Sequence, residues 1–216
     1  MITRKDFERQ YSADLLPSSF ANYSIGDLWD VKGLFTKTYV PCNENIAEIC
    51  DSTGALLKTL QSIPMQDANL PDVDMTNDFK SDASLSIPYL GLNLKDVLDA
   101  NKVEGFHFNS IQGKNIIGYN SNLATSLDAF KTNNFNTYKD KIRDYQVVIG
   151  LFYAGSVNLS IDKTVSNQAA IDAKIKAIAN AQISVAVDTS DASTIKYSIT
   201  NSKCPFAAQF KMGRDI

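Results

Sequence analysis

YQVVIGLFYAGSVNLSI, residues 145–161, is followed after DKTVSNQ by AAIDAKIKAIANAQISVAV, residues 169–187, and the fold turns on how the second stretch is read. In the first, the apolar residues Tyr145, Val147, Ile149, Leu151, Tyr153, Val157, Leu159 and Ile161 fall on odd positions, interrupted at Gly155. Alternate side chains leave a strand on opposite faces, so this spacing predicts a strand with one buried and one wet face. In the second, Ala169, Ile171, Ala173, Ile175, Ala177, Ala179, Ala181, Ile183, Val185 and Val187 keep the same period. The helical template fits these residues too. Ile171, Ile175 and Ile178 recur at four and three, Ser166 can cap, and Ala, Lys and Gln favour helix. From Ile183 onward, ISVAV is β-branched and strand-like. The expected structure is a helix over about 167–180 running into a strand over about 182–188; the competing reading is one continuous strand.

Working outward, DTSDAST reads as a turn, IKYSI as a strand with Ile195, Tyr197 and Ile199 on one face, and CPFAAQF as a segment closing the sheet. Upstream, SNLATSLDAFK carries Leu123, Leu127 and Phe130 on one helix face after a cap at Ser121 or Asn122. NTYKDKIRDY follows as a second short helix. VEGFHFNSIQGKNIIGY is strand-like, LKDVLDANK fits two helical turns, and Pro88 in LSIPYLGLNL argues against an interior sheet position. IPMQDANLPDVDMTNDFKSDAS, rich in Asp, Asn and Ser, is expected to be an irregular strap over about 62–84. NIAEIC and ALLKTLQSI read as short helices divided by the turn residues Asp51-Ser52-Thr53-Gly54. IGDLWDVKGLFTKTYV reads as strand, turn and strand, with Trp29 anchoring the packing.

These elements predict an α+β fold: a mainly antiparallel or mixed twisted β-sheet with two to four short helices, in a single compact domain over 1–216. The 216 residues suffice to bury a sizeable core, and 44% hydrophobic with 21% charged residues argue against global disorder. A net charge of −3 supplies no general attraction for nucleic acid, which is disfavoured as a partner. MITRKDFERQYSADLL lacks the apolar core and cleavage site of a secretory signal, and no run of about 20 apolar residues could span a bilayer as a helix. Cys42, Cys50 and Cys204 form no CxxC pair, and reduced thiols fit a cytoplasmic location.

Chemistry is sparse. His107, the single histidine, lies in a strand-like VEGFHFNS, so a two-histidine metal site is ruled out. A packed or partly exposed strand histidine is the expectation, with pairing to one of the cysteines as the catalytic alternative. Asp72, Asp74, Thr76, Asn77, Asp78 and Asp82 make an oxygen-rich loop without the glycine and terminal glutamate of an EF-hand, and read as a solvated Asx-rich loop. Glu104 beside His107, or Asp96 with Asp99, could be nominated as acid and base, but such spacings are common. Phe106, Phe108, Phe152, Tyr153, Tyr197 and Phe206 are assigned to the core rather than to a stacking platform. The phosphate-binding glycine motifs and the nucleophile elbow are missing. No catalytic, cofactor-binding or metal-binding residue is nominated, and no cofactor is expected.

The leading functional expectation is a non-enzymatic binding or self-assembling subunit that uses an extended β-sheet, its partner another protein or another copy of itself. The order of a short helical stretch, the strand DYQVVIGLFY, another amphipathic segment and a closing strand near CPFAAQF resembles the pore-forming half of gasdermins over roughly residues 85–212. That resemblance implies lipid binding by a sheet whose hairpins extend on oligomerisation, making a membrane the alternative partner. It rests on element order and transfers no site residue; the chain has no obvious inhibitory domain of the family's usual plan. A second alternative is an enzyme of unknown class.

Overall fold

The computed structural model describes residues 1–16, 23–32, 38–65, 70–81, 86–87, 92–115, 120–179, 183–201 and 205–216. In chain order these form β1 (Ile2–Thr3), α1 (Arg4–Tyr11), β2 (Ala13–Leu15), β3 (Asp27–Lys32), β4 (Thr38–Asn45), α2 (Ile46–Cys50) and α3 (Ala55–Gln61). Next come β5 (Val73–Asp74), α4 (Thr76–Ser81), β6 (Ser86–Ile87), β7 (Leu92–Asn93), β8 (Val103–Asn115), α5 (Asn120–Asn133) and α6 (Phe135–Tyr138). The chain ends with β9 (Gln146–Asp162), α7 (Gln168–Lys176), β10 (Ile183–Asp188), β11 (Thr194–Asn201) and β12 (Pro205–Met212). The α+β class and the mixed sheet agree with the sequence reading; the described residues hold seven α-helices rather than two to four.

The chain divides into two compact units, each assembled from distant stretches. Unit 1 comprises Met1–Ala21, Asp67–Gln112 and Tyr153–Phe206; unit 2 comprises Asn22–Gln66, Gly113–Phe152 and Ala207–Ile216.

In unit 1 the strand order is β1-β5-β8-β9-β11-β10, with β1 parallel to β5 and with β5–β8, β9–β11 and β11–β10 antiparallel. Val157, Leu159 and Ile161 of β9 and Ile195, Tyr197 and Ile199 of β11 are at most 1% exposed, and their registers put them side by side on one face. A file of rings continues that core: Phe79 to Phe106 at 4.6 Å, Phe106 to Phe108 at 5.4 Å, Phe108 to Phe206 at 4.7 Å and Phe206 to Phe7 at 5.5 Å. Ring pairs at such separations add to the area they bury. Phe7 is the buried residue of α1, which starts where Thr3 accepts from the Asp6 N–H and stops at Ser12 in a left-handed conformation.

In unit 2, β3 and β4 form a hairpin, and β3 joins the start of β9 through Leu28 opposite Val147 and Trp29 opposite Gln146. Trp29 is wholly buried, 4.9 Å from the Tyr23 ring and 5.8 Å from Phe210. Its anchoring role is the one expected. Gly26 has φ +91°, and a Cβ there would lie 2.7 Å from Asn45 Oδ1, so both the backbone and the space require glycine. The same Asn45 side chain donates to the Ile25 carbonyl and to Asp27, and accepts from the Ala47 N–H at the start of α2.

Residues 169–187 take the helix-to-strand form, as α7 and β10, with 180–182 outside the described residues. Asn167 rather than Ser166 occupies the cap position. On β9 the single buried face holds over 157–162, whereas Val147, Val148 and 150–154 are buried on both faces. LKDVLDANK forms turns and a short 3₁₀ segment, Ala100–Lys102, instead of two helical turns. Asp99 is extended there and accepts from the Asn101 N–H, which stops a helix from continuing. The expected strap contains β5 and α4, since Asp74 Oδ1 accepts from the Thr76 N–H and Phe79 enters the core. Pro88 lies outside the described residues.

Candidate functional site

The strands of unit 1 present two surface features, an open polar groove and an edge strand. The groove, about 370 Å³, is lined by Glu104, Gly105 and His107 of β8, Ser160 of β9, and Thr194 and Lys196 of β11. His107 is partly exposed and its imidazole lies over Gly105; a Cβ at that position would come within 3.0 Å of the ring. On the neighbouring strand β5, Asp74 stands opposite His107 in register, with Oδ1 3.7 Å from Nε2. Partial burial works against ionisation of Asp74, but hydrogen bonds from Thr76 and the His107 charge hold its carboxyl below the usual range.

The groove therefore gathers Glu104 and His107, as their sequence proximity suggested. It is open to solvent, and water screens the fields that acid–base chemistry uses. Asp96 and Asp99 line a different hollow of about 320 Å³, with Lys95, Lys102, Ser166 and Asn167. Their carboxylates are already engaged, Asp96 by Lys174 at 3.4 Å and Asp99 by the Asn101 N–H at 2.9 Å.

The Asx-rich loop is spent on local structure. Asp72 accepts from the Ser110 N–H, Asp74 from the Thr76 N–H, and Asp78 faces Arg4 at 3.5 Å. Thr76 Oγ1 accepts from the Phe106 N–H, Asn77 is exposed, and Asp82 lies outside the described residues. Among the described residues no three His, Cys, Asp or Glu side chains gather as metal ligands.

Cys42 and Cys50, both in unit 2, are free thiols; Cys204 lies outside the described residues. Burial, and then the nearby Asp51 charge, pushes the Cys50 thiol up to about 11. Burial also raises Cys42, against a backbone hydrogen bond from Asp30. Raised thiols are poor nucleophiles at neutral pH. Phe106, Phe108, Phe152, Tyr153, Tyr197 and Phe206 are all buried, as assigned from sequence.

The second feature is β10. It pairs in antiparallel register with β11, Val185 opposite Ile199 and Val187 opposite Tyr197, and among the described residues with no other strand. Ile183, Val185 and Val187 are half-buried while Ser184, Ala186 and Asp188 are exposed. Their β11 neighbours Tyr197 and Ile199 are wholly buried, so burial of the core face falls off at this strand. Behind it α7 is fixed by buried Ile171 and Ile175 and by the Tyr197 hydroxyl, which donates to Asp172. No pattern of neighbouring residues announced that tie, because its partners are 25 positions apart.

No protein-family model and no curated protein matches the chain. No helix among the described residues is long and apolar enough to cross a membrane.

Proposed function

We propose that the chain is a non-enzymatic binding or self-assembling subunit that works through the open edge of the unit 1 sheet. The observation that carries this reading is β10: six residues, ISVAVD, at the end of the strand order, with apolar side chains left half-covered. Sheet edges are usually blunted by lysine, proline or a bulge, because unpaired backbone N–H and C=O groups recruit further strands. β10 contains neither lysine nor proline, and its pairing with β11 runs without a register shift. Strand addition gives affinity through backbone hydrogen bonds and specificity through alternate side chains. The reading places the protein in the cytoplasm, in keeping with the free thiols Cys42 and Cys50.

Light scattering across a wide concentration range tests self-assembly. A mass that rises with concentration supports it; a strict monomer counts against it. The membrane-perforating alternative draws its strength from a continuous strand over 169–187 and takes second place with α7 inside that interval.

A further inference from the structure

We infer that the groove on the wet face of the unit 1 sheet binds a small zwitterion, the class of free amino acids and short peptides, with Glu104 taking the ligand's ammonium group and Lys196 its carboxylate. This goes beyond the assembly reading and stands apart from β10: a strict monomer leaves it intact.

Strand register builds the groove. Lys196 stands opposite Ser160, while Ile195 and Ile161 beside them are wholly buried on the other face. In β8, His107 lies between buried Phe106 and Phe108, so its ring shares the wet face. Three strands and the turn carrying Asp191 and Ser193 thus bound about 370 Å³, with no hydrophobic residue in the lining among the described residues. That volume is near the lower end of the ~300–1,000 Å³ typical of ligand clefts, and walls of this kind select against an apolar guest.

Charge selects the guest. Asp191 is spent inside its turn, where Oδ1 accepts from the Ser193 N–H and hydroxyl and from the Thr194 N–H. His107 faces Asp74 on β5. Glu104 and Lys196 remain. Neither makes a hydrogen bond or ion pair among the described residues, although the Lys196 charge helps to lower Asp188 and Asp191. Opposite charges that share a groove without pairing match a guest carrying both signs. A guest of one sign would meet a like charge.

Thr194 gives an independent sign. It is 7% exposed, lines the groove, and its Oγ1 has no hydrogen-bond partner. Buried hydroxyls are nearly always partnered, and an orphan one is costly. Thr194 and Lys196 alternate to the same face of β11, so a ligand carboxylate held by Lys196 supplies an acceptor on the side where Thr194 lacks one.

His107, the single histidine, makes the groove observable, because its ring gives one set of imidazole signals in the proton NMR spectrum. Full-length protein is titrated at pH 7 with glycine and glycylglycine, and with ethylamine, propionate and glucose as single-charge and neutral controls. Saturable shifts of the His107 signals are expected with a zwitterion, at a dissociation constant on the order of a millimolar, as solvent-exposed ion pairs allow. The controls are expected to bind about fivefold more weakly or less. A better fit to glycine assigns a free amino acid and a better fit to glycylglycine a short peptide, each in support.

Glu104→Gln is expected to erase the zwitterion's advantage over propionate, and Lys196→Gln its advantage over ethylamine. Both positions are exposed, so both variants are expected to fold, which circular dichroism checks. Thr194→Val is expected to weaken binding while leaving the urea midpoint unchanged or higher, the reverse of what a stabilising hydroxyl would give. No saturable shift with either zwitterion, controls that bind as well as the zwitterion, or unchanged selectivity in both charge variants overturns the inference. Preference for glucose overturns the zwitterion as guest.

Discussion

Tyr197, wholly buried on β11, donates its hydroxyl hydrogen to the Asp172 carboxylate on α7. With Ile171 and Ile175 this polar tie holds α7, a nine-residue helix with no side-chain hydrogen bond at its N-cap, against the sheet. Hydrogen bonds to charged groups contribute more than neutral ones, and here the helix has little capping of its own. Tyr197→Phe is expected to lower stability by about 1–3 kcal/mol, read from urea unfolding at neutral pH.

The tyrosines also set an alkaline limit. Burial first, and then the Asp172 hydrogen bond and charge, raises Tyr197 well above its ordinary value near 10. Tyr23 is raised likewise by burial and by Asp27. A group that holds its proton more tightly when folded stabilises the fold below its unfolded pKa, and the contribution fades as pH climbs toward the folded value. The urea midpoint is expected to fall as pH passes about 10, and Tyr197→Phe is expected to flatten that fall.

In acid the dominant sign is opposite. Asp191 is drawn down to about 2 by the Ser193 N–H and hydroxyl and the Thr194 N–H. Turn and ion-pair hydrogen bonds also lower Asp51, Asp162 and Asp188. Their contribution is complete above the usual carboxylate range and is lost as pH drops through the folded values. Asp27 runs the other way: burial raises it, so its protonation eases the fold. The melting temperature is expected to decline from pH 4 toward pH 2. Asp191→Ala is expected to flatten the decline while lowering the melting temperature at neutral pH.

Gly26→Ala places a Cβ 2.7 Å from Asn45 Oδ1 on a backbone with φ +91°. The strain and the displaced Asn45 hydrogen bonds are expected to cost about 1–3 kcal/mol in chemical denaturation. Ser12→Ala offers the contrast of a left-handed non-glycine position at an exposed helix end, where a smaller loss is expected.

A thiol reagent should find Cys50 slow. With its thiol pushed up to about 11, the thiolate fraction at pH 7.5 is expected to lie roughly a hundredfold below that of an ordinary cysteine. Labelling kinetics of Cys50 compared with a solvent-exposed cysteine added at Ser52 check this.

Liposomes loaded with dye address the membrane alternative. No release is expected across neutral and anionic lipid compositions, before or after limited proteolysis. Release would move the pore-forming reading ahead of the assembly reading.

Periodicity reached the sheet well because its strands announce themselves locally. β9 and β11 alternate over their buried halves, and the break at Ile183 separates α7 from β10 by β-branched content alone. α1 and α4 were invisible for a physical reason: each buries a single phenylalanine, Phe7 or Phe79, leaving no apolar stripe to count. The two-sided burial of β9 near Val148 and Phe152 was hidden because alternation reports one face and is silent about what covers the other. At the site, the nearness of Glu104 to His107 could be read from spacing, but Asp74 reaches His107 only through the β5–β8 register. Edge status is equally non-local: ISVAVD alone does not tell whether it has one strand neighbour or two.

The file of rings Phe79, Phe106, Phe108, Phe206 and Phe7 joins side chains drawn from both ends and the middle of the chain. Unit 1 lacks its last ring until residue 206 has been synthesised, and unit 2 takes in Ala207–Ile216. On the ribosome neither unit can close in the order it is made, because unit 1 waits for Phe206 and unit 2 for Ala207–Ile216. Closing such long intervals is entropically slow. The nascent chain, with the apolar strands of β9–β11 already exposed, should therefore bind holdase chaperones during that wait.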